Sequence, residues 1–499
     1  VKSLSVTKKS IVNKQSAIEG LVGKMKYFKY TGIFVLFVLF SYCATSYIEK
    51  ITKAEEAFYK EDYETAIPEV RDLAKDASAK DQLLYLMEAG TIFHTKGDYE
   101  TSIKVFKDAE GIADSIQTSM TKEGLAFVLS DNESNFKGES FERVIIKLYL
   151  AMNYIMLGKV EDAKRYFKKV DFELKDMKVT DSKFKQNLFA RYMDAVISEQ
   201  LNAYNDARVS YKNIMEIAPD NKEILADRYV LAVKEKDTRD QAKYAEGQKY
   251  VKAFDKNLQP IPYNPELAEV LIVNQAGKAA TKESKGKIIN EPMIQQALYK
   301  AVEYSLRSMD SKGASVTTVM AMISNAENPI PEYKKREEQK ANPIDIYANG
   351  ILLTNTKVYN DYSETAIANF NENYSSLVAK NIASIATKVA IAGVAAYTAG
   401  KAAEKQANDK GGSGGAIVGL IVGMAAGAIA GAGVSATIKP DLRCWRTLPS
   451  NFQARRIFLE PGTYNFDFKS NTSRALGGKN FQKVTVDSGK LVLINFRSL

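Results

Sequence analysis

Between Ile51 and about Asp220, small side chains recur twelve residues apart in four places: Ala54 and Ala66, Gly90 and Ser102, Ala151 and Ala163, Ala195 and Ala207. Four residues after each second member stands a larger apolar side chain, Val70, Phe106, Phe167 or Tyr211. Three residues before it stands Tyr63, Tyr99, Val160 or Tyr204. Two antiparallel helices approach closely only where small residues meet, and the larger side chain then fills the groove against the next pair. The register therefore restricts this stretch to stacked helix pairs and assigns these residues to packing.

The pattern resembles the tetratricopeptide repeat. It is clearest from Gly97-Asp98-Tyr99 through Ala109, and from Ala203-Tyr204-Asn205-Asp206-Ala207 through Pro219. Successive copies lie 36, 61 and 44 residues apart, where the family spaces them by about 34. Loops are therefore expected between them, one at Ser130–Asn135 with Lys137-Gly138-Glu139. Pro68 predicts a helix start or a kink in the first copy. Residues 221–255 read as a degenerate pair capping the array. Pro260, Pro262 and Pro265 then end helix formation.

Past Pro265 the period changes. Ala268–Asn274 reads as a buried strand entering a hairpin, and the β-branched run Ser315–Ile323 as a second strand, with a helix over Ile294–Met309 between them. Ile344–Tyr359 alternates as a strand does. Glu364–Gly400 is helical, its Ile382–Ala399 portion apolar, and a polar turn follows over Glu404–Gly415. Ala416–Ile438 carries no charge and spaces Gly419, Gly423, Gly427 and Gly431 four apart, which lets another helix approach to backbone contact. Two readings stand: a helical hairpin packed on the Ala-rich helix or on another subunit, or a membrane span, for which 23 uncharged residues suffice. Lys388 interrupts the partner helix and favours the hairpin. Beyond Pro440, Arg456–Phe468 holds strands around Glu460-Pro461-Gly462, and Phe481–Val486 with Lys490–Phe496 reads as a closing hairpin.

The formal charge of +9 invites a nucleic-acid reading until it is located. Seven lysines and one glutamate precede residue 43, which leaves 62 basic and 59 acidic residues afterwards, an ordinary balance with no basic block interleaved with aromatics. No nucleic acid is expected. Two cysteines exclude a disulfide scaffold, and a single histidine, His94, excludes multi-His metal sites. His94 reads as a helix-surface or interface residue, and no cofactor is implied. Acidic residues are abundant, but no spacing singles out two as a catalytic pair.

Ile33–Ala44 is an apolar run of about ten residues, too short for a spanning helix of about 20. Behind the cationic Lys26 and Lys29 it reads as a signal-peptide core, with Met25 as the start and residues 1–24 upstream of it. Phe40-Ser41-Tyr42-Cys43 resembles a lipobox, although Tyr42 is bulkier than the usual residue there. Lipidation at Cys43 is the reading adopted. An uncleaved anchor and cleavage without lipid are the alternatives. Ala44 after the cysteine points to the outer membrane.

Residues Asp441, Arg443, Trp445, Leu448 and Pro449, followed by Pro461, Gly462 and Tyr464, spell Asp-x-Arg-x-Trp-x-x-Leu-Pro and a Pro-Gly-x-Tyr turn. With the order of parts around it, this resembles a family of bacterial exported lipoproteins with N-terminal repeats and a Gly/Ala-rich hairpin. The resemblance implies an envelope role, members being encoded near activators of peptidoglycan synthases and curli-secretion-like lipoproteins. It brings no catalytic residue. Within the motif, Trp445 is expected to pack on the β core with an arginine stacked on its ring, or, with Asp441, Arg443 and Arg446, to meet a protein partner or glycan. Cys444 has no neighbouring base and is expected to be inert.

The expected fold is α+β: a leader over 1–42, an α-solenoid of tetratricopeptide-like repeats over 43–257, a β-rich region over 258–363, the helical hairpin over 364–439, and a C-terminal β region over 440–499. The expected function is a non-catalytic, lipid-anchored envelope scaffold whose repeats present a surface to other envelope proteins, with a homo-oligomer possible. The alternatives are a membrane-inserting or pore-like assembly built on the glycine helix and, behind it, a cell-wall hydrolase.

Overall fold

The small residues of the twelve-residue pairs lie at helix crossings. Ala54, Ala66, Ser102, Ala151, Ala163, Ala195 and Ala207 are all fully buried. A Cβ on Gly90 would lie 2.6 Å from the Phe106 ring, so only glycine fits under that aromatic. The computed structural model describes residues 47–76, 80–122, 136–176, 187–308, 315–323, 326–336, 342–409, 415–470 and 480–499. The leader, Cys43 and the Ser130–Asn135 loop lie outside these.

The helix pairs are α1 (Tyr47–Tyr59) with α2 (Tyr63–Asp76), α3 (Gln82–Lys96) with α4 (Tyr99–Lys122), α5 (Ser140–Met156) with α6 (Val160–Asp176), and α7 (Leu188–Gln200) with α8 (Tyr204–Ile217). The aromatic or Val position of the register is the first residue of each second helix. Every turn into one carries a left-handed residue: Glu61, Gly97, Gly158 and Asn202. Lys236 repeats that conformation between α9 (Lys222–Lys234) and α10 (Thr238–Lys243), which marks a fifth unit. Asp62 and Asp98 cap α2 and α4 by accepting from the backbone N–H of Thr65 and Thr101. Pro68 sits inside an unbroken α2 rather than at its start.

Two sheets follow. In the first, β8 (Asn451–Leu459) lies between β2 (Ala268–Ala276) on one side and β1 (Ala253–Phe254) and β7 (Lys357–Asp361) on the other, and β11 (Leu491–Ser498) runs parallel to β2 at its far edge. The second has the order β10 (Phe481–Val486), β9 (Gly462–Lys469), β5 (Asp345–Ala348), β6 (Ile351–Asn355), all antiparallel. Val270, Ile272, Ile457 and Phe496 of the first sheet pack on Ile346, Phe466 and Phe468 of the second.

Three expectations are corrected. β2 forms no hairpin, because its partners are β8 and β11. The expected closing hairpin is split: the Asp487-Ser488-Gly489 turn carries the chain from one sheet to the other, and β10 and β11 do not pair with each other. Val316–Met322 is a helix, α12, although rich in β-branched residues. Val319 and Ile323, four apart, bury against the helices around them, and burial on one helical face overrides strand propensity.

The helix α11 (Pro292–Ser308) and α12 pack on α13 (Tyr362–Asp409), which pairs with α14 (Gly415–Thr437) as the expected hairpin. A Cβ on Gly423 would lie 3.4 Å from the Gly400 Cα and 3.6 Å from the Ala396 carbonyl oxygen, so the close approach is within the chain. From Ile51 to Leu499 the chain forms one compact unit.

Candidate functional site

The first helix of each pair lines one face of the array, and that face holds the chain's own C-terminal region. The irregular segment Asp441–Pro449, which turns at Arg446-Thr447, lies along α1, α3 and α5. The backbone N–H groups of Arg446 and Thr447 donate to the two oxygens of Glu88 at 2.6 and 2.9 Å. Trp445 N–H donates to Glu142 at 3.2 Å. The Tyr59 hydroxyl and an Arg336 N–H both donate to the Arg446 carbonyl at 2.8 Å. Glu55 binds the guanidinium groups of Arg336 and Arg446. Asp81 and Asp441 share that of Arg443, each within 2.8 Å. Acidic side chains on the repeats thus hold an irregular basic and aromatic segment that belongs to the same chain.

Trp445 is 1 % exposed. Its ring lies between Phe106 and Tyr149, with centroids 6.0 and 5.8 Å away, and its indole N–H donates to Thr91 at 3.1 Å. Neither sequence reading of this residue holds. It packs on the repeats instead of the β core, the guanidinium of Arg443 lies over Phe136 rather than over the indole, and no ring face is left for an outside ligand. Asp441, Arg443, Trp445 and Arg446 are brought together, but they face inward. Strand alternation explains the adjoining layer. β2 turns Val270 and Ile272 into the sandwich and Glu269 and Gln275 to the helices, while β8 turns Ile457 inward and Arg456 to the helices.

Arg456 enters a buried ionic cluster. Its Nη1 and Nη2 reach Glu199 at 2.9 and 2.7 Å, Nη1 reaches Asp227 at 3.2 Å, and Nε lies 2.8 Å from Glu269. Lys234 bridges Glu199 and Glu269 at 2.8 and 3.0 Å, and Tyr211 donates to Glu199 at 2.6 Å. Burial pushes the Glu199 carboxyl up, but Arg456 and Lys234 outweigh it and hold the group well below its ordinary range. Asp227 is left with the weaker share. Burial raises it first, Arg456 lowers it, and the charges of Glu199 and Glu269 raise it again, to about 7.

His94 is at this interface and buried. Its Nε2 accepts from the side-chain amides of Gln275 and Asn495 at 2.7 and 3.0 Å, which leaves Nδ1 as the protonated nitrogen, donating to Asn153 at 2.6 Å. The imidazole is committed to holding the sheet. Cys444 is a buried thiol that burial pushes up to about 11, so it is no nucleophile at neutral pH. Among the described residues no group of His, Cys, Asp and Glu is arranged to hold a metal.

Of the glycine stripe, Gly423 meets α13, and Gly427 and Gly431 are buried. The surroundings of Gly419 lie outside the described residues. Sequence reasoning missed Glu55, Glu88, Glu142, Glu199, Asp227, Glu269 and Arg456. The available signal was a charge inside an otherwise apolar run, as at Glu88 after Met87, Glu269 before Val270-Leu271-Ile272, and Arg456 before Ile457.

No protein-family model matches the chain, and no curated protein matches it. Solved structures similar to part of it include MamA of Desulfovibrio magneticus RS-1, 10% identical, with a TM-score of 0.27 over 40% of this chain and 92% of that one. YrrB, described as a TPR protein with an unusual peptide-binding site, is 12% identical, with a TM-score of 0.29 over 40% and 83%. The apo form of RapI is 13% identical, with a TM-score of 0.31 over 40% and 52%. At these scores the likeness assigns neither a family nor a ligand.

Proposed function

We propose that this is a non-catalytic interaction protein of the bacterial cell envelope, lipid-anchored at Cys43 on the periplasmic face of the outer membrane, and that its contacts with envelope proteins are made by the helical hairpin rather than by the repeat groove. The carrying observation is the occupancy of the groove. Trp445 and Arg456 fill the face that the repeats were expected to offer, so the array braces its own β unit. The hairpin instead leaves Ile417, Leu420, Ile421 and Met424 of α14 exposed by 64, 61, 56 and 59%. Lipid anchoring rests on the cationic flank, the short apolar core and Cys43.

The pore-like alternative draws on α14, which is long and apolar enough to cross a membrane, as α13 is. Weighing against it, the Gly400–Gly423 contact sets the last turns of α13, with Lys401, Glu404, Lys405 and Asp409, alongside the start of α14. Insertion of the hairpin would carry those charges into hydrocarbon at roughly 2.5–3.5 kcal/mol each.

Complementation of a deletion strain tests the reading. Leu420→Glu with Ile421→Glu should abolish rescue at unchanged protein level, whereas Val209→Glu on the exposed face of α8 should preserve it. A fatty-acid analogue should label the wild type and not Cys43→Ser. Rescue by the hairpin variant, or equal labelling of both forms, would overturn the corresponding half of the reading.

A further inference from the structure

We infer that the end of β11 holds a binding site for a small monovalent anion, chloride in size, with the Arg497 guanidinium as its principal ligand. Alternation along β11 turns Ile494 and Phe496 into the sandwich and sends Arg497 to the repeat side. There it is 2 % exposed. Its Nη2 donates to the Gly277 carbonyl at 2.8 Å, whereas Nε and Nη1 have no acceptor, and among the described residues no carboxylate pairs with it. A guanidinium does not give up its proton in a protein. The charge therefore stays, and a buried charge left uncompensated is costly.

The surroundings add positive charge rather than balance it. Gly277 leads directly into Lys278, whose Nζ lies 4.2 Å from the centre of the Tyr59 ring. Tyr59 and Arg336 donate to the same carbonyl, that of Arg446. Of the nearby carboxylates, Glu55 binds Arg336 and Arg446, and Glu88 binds the backbone of Arg446 and Thr447. Even with Glu61 of the α1–α2 turn included, four cations (Lys278, Arg336, Arg446, Arg497) stand against three carboxylates, an excess of one. Burial holds the Arg497 guanidinium below its ordinary range; Tyr59 and Tyr149 offset part of this, and the like charge of Arg336 adds to it.

A second orphan donor lies close by. The Tyr63 hydroxyl is buried without a partner, and the charge of Arg497 acts on it. Water would satisfy such donors but leave the charge. Sulfate or phosphate would bring further charge and more oxygens than the orphan donors serve. A monatomic anion answers both needs, and it ties the α1–α2 turn to the edge of the first sheet, so its concentration sets part of the stability of the fold.

The test is thermal unfolding of the full chain at fixed pH and ionic strength, with sodium chloride exchanged for sodium gluconate. The midpoint should rise saturably with chloride, by several degrees, and bromide should substitute for it. Tyr63→Phe, which keeps the charge balance, should need severalfold more chloride for the same rise. Arg497→Met should show no rise, and Lys401→Met, on the exposed end of α13, should show all of it. Chloride NMR gives a readout independent of the melt: the line should broaden with the wild type, broaden less with Tyr63→Phe, and narrow when bromide is added. Equal midpoints in chloride and gluconate with no line broadening overturn the inference, as does a chloride response that Tyr63→Phe and Arg497→Met both retain. Destabilisation by Glu337→Gln with Glu338→Gln, next to Arg336 in sequence, that equals that of Arg497→Met in a protein indifferent to chloride assigns the counter-charge to the chain itself and also overturns it.

Discussion

Arg456, on the central strand of the first sheet, faces Glu199 of the fourth repeat's first helix, with both guanidinium Nη atoms on the carboxylate oxygens at 2.9 and 2.7 Å. Both side chains are buried. Breaking such a pair leaves one charge uncompensated, which costs about 3–5 kcal/mol. Arg456→Met should lower the urea midpoint accordingly, as should Glu199→Met. The double variant should recover much of the loss if the pair acts mainly as a mutual neutraliser. A double variant no better than the worse single would show that the rest of the cluster depends on both.

Asp227 sets a pH dependence. Its folded pKa, about 7, lies above its ordinary 3.8. The folded state therefore keeps a proton that the unfolded state has lost, and stability falls as pH rises from about 4 to 7. Near 1.4 kcal/mol per unit, the upper figure is about 4 kcal/mol. Glu142, raised to about 7 by burial and then by Glu139, adds to the same slope. Glu199, depressed, contributes stability above its ordinary pKa that is lost only in stronger acid. Asp227→Asn should lie closest to the wild type at pH 4 and exceed it by a growing margin up to pH 8. Parallel melting curves for the two proteins across that range would contradict the assignment.

Trp445 is the only tryptophan, so its fluorescence reports the groove alone. Emission should be blue-shifted and resistant to acrylamide, and should change in the same denaturant range as the helical circular dichroism. Trp445→Ala should cost about 3–5 kcal/mol. Ready quenching in the native protein would contradict its burial.

Two glycines should respond oppositely to alanine. At Gly90 the added carbon meets the Phe106 ring at 2.6 Å, and overpacking of this kind costs about 1–3 kcal/mol. At Gly423 the nearest atom is 3.4 Å away, an ordinary contact, and the gain in helix propensity is up to about 1 kcal/mol. Thermal melts should therefore fall for Gly90→Ala and hold or rise for Gly423→Ala, while Gly423→Leu should separate α13 from α14 and lower the melt.

The helix pairs were legible because a short local period encodes them: Ala66, Ala163 and Ala207 occupy the crossings that their spacing implied. The fifth pair was legible over residues 221–255 only as a degenerate one, because it lacks the small-residue register and its left-handed turn residue is Lys236, which no composition rule marks. The sheet pairings escaped because alternation tells which residues share a face, not which strand lies beside them. Val316–Met322 was misread because its propensity and its burial disagree. The motif around Trp445 stood out, but Arg, Trp and Asp serve an internal groove and an outside ligand equally well.

The segment that fills the repeat groove comes from the far end of the chain. Trp445 meets Thr91 across 354 residues, Arg446 meets Glu55 across 391, and His94 meets Asn495 across 401. Contacts so distant in sequence are slow to form. The helices can stack while Glu55, Glu88 and Glu142 still lack the Arg446 guanidinium and the backbone N–H groups of Trp445, Arg446 and Thr447, and while Glu199 has Lys234 but not Arg456. A chain cut short before β8 would keep its helices and expose an acidic, aromatic-lined furrow. Docking of a segment more than 350 residues downstream is thus a condition of the array's own stability.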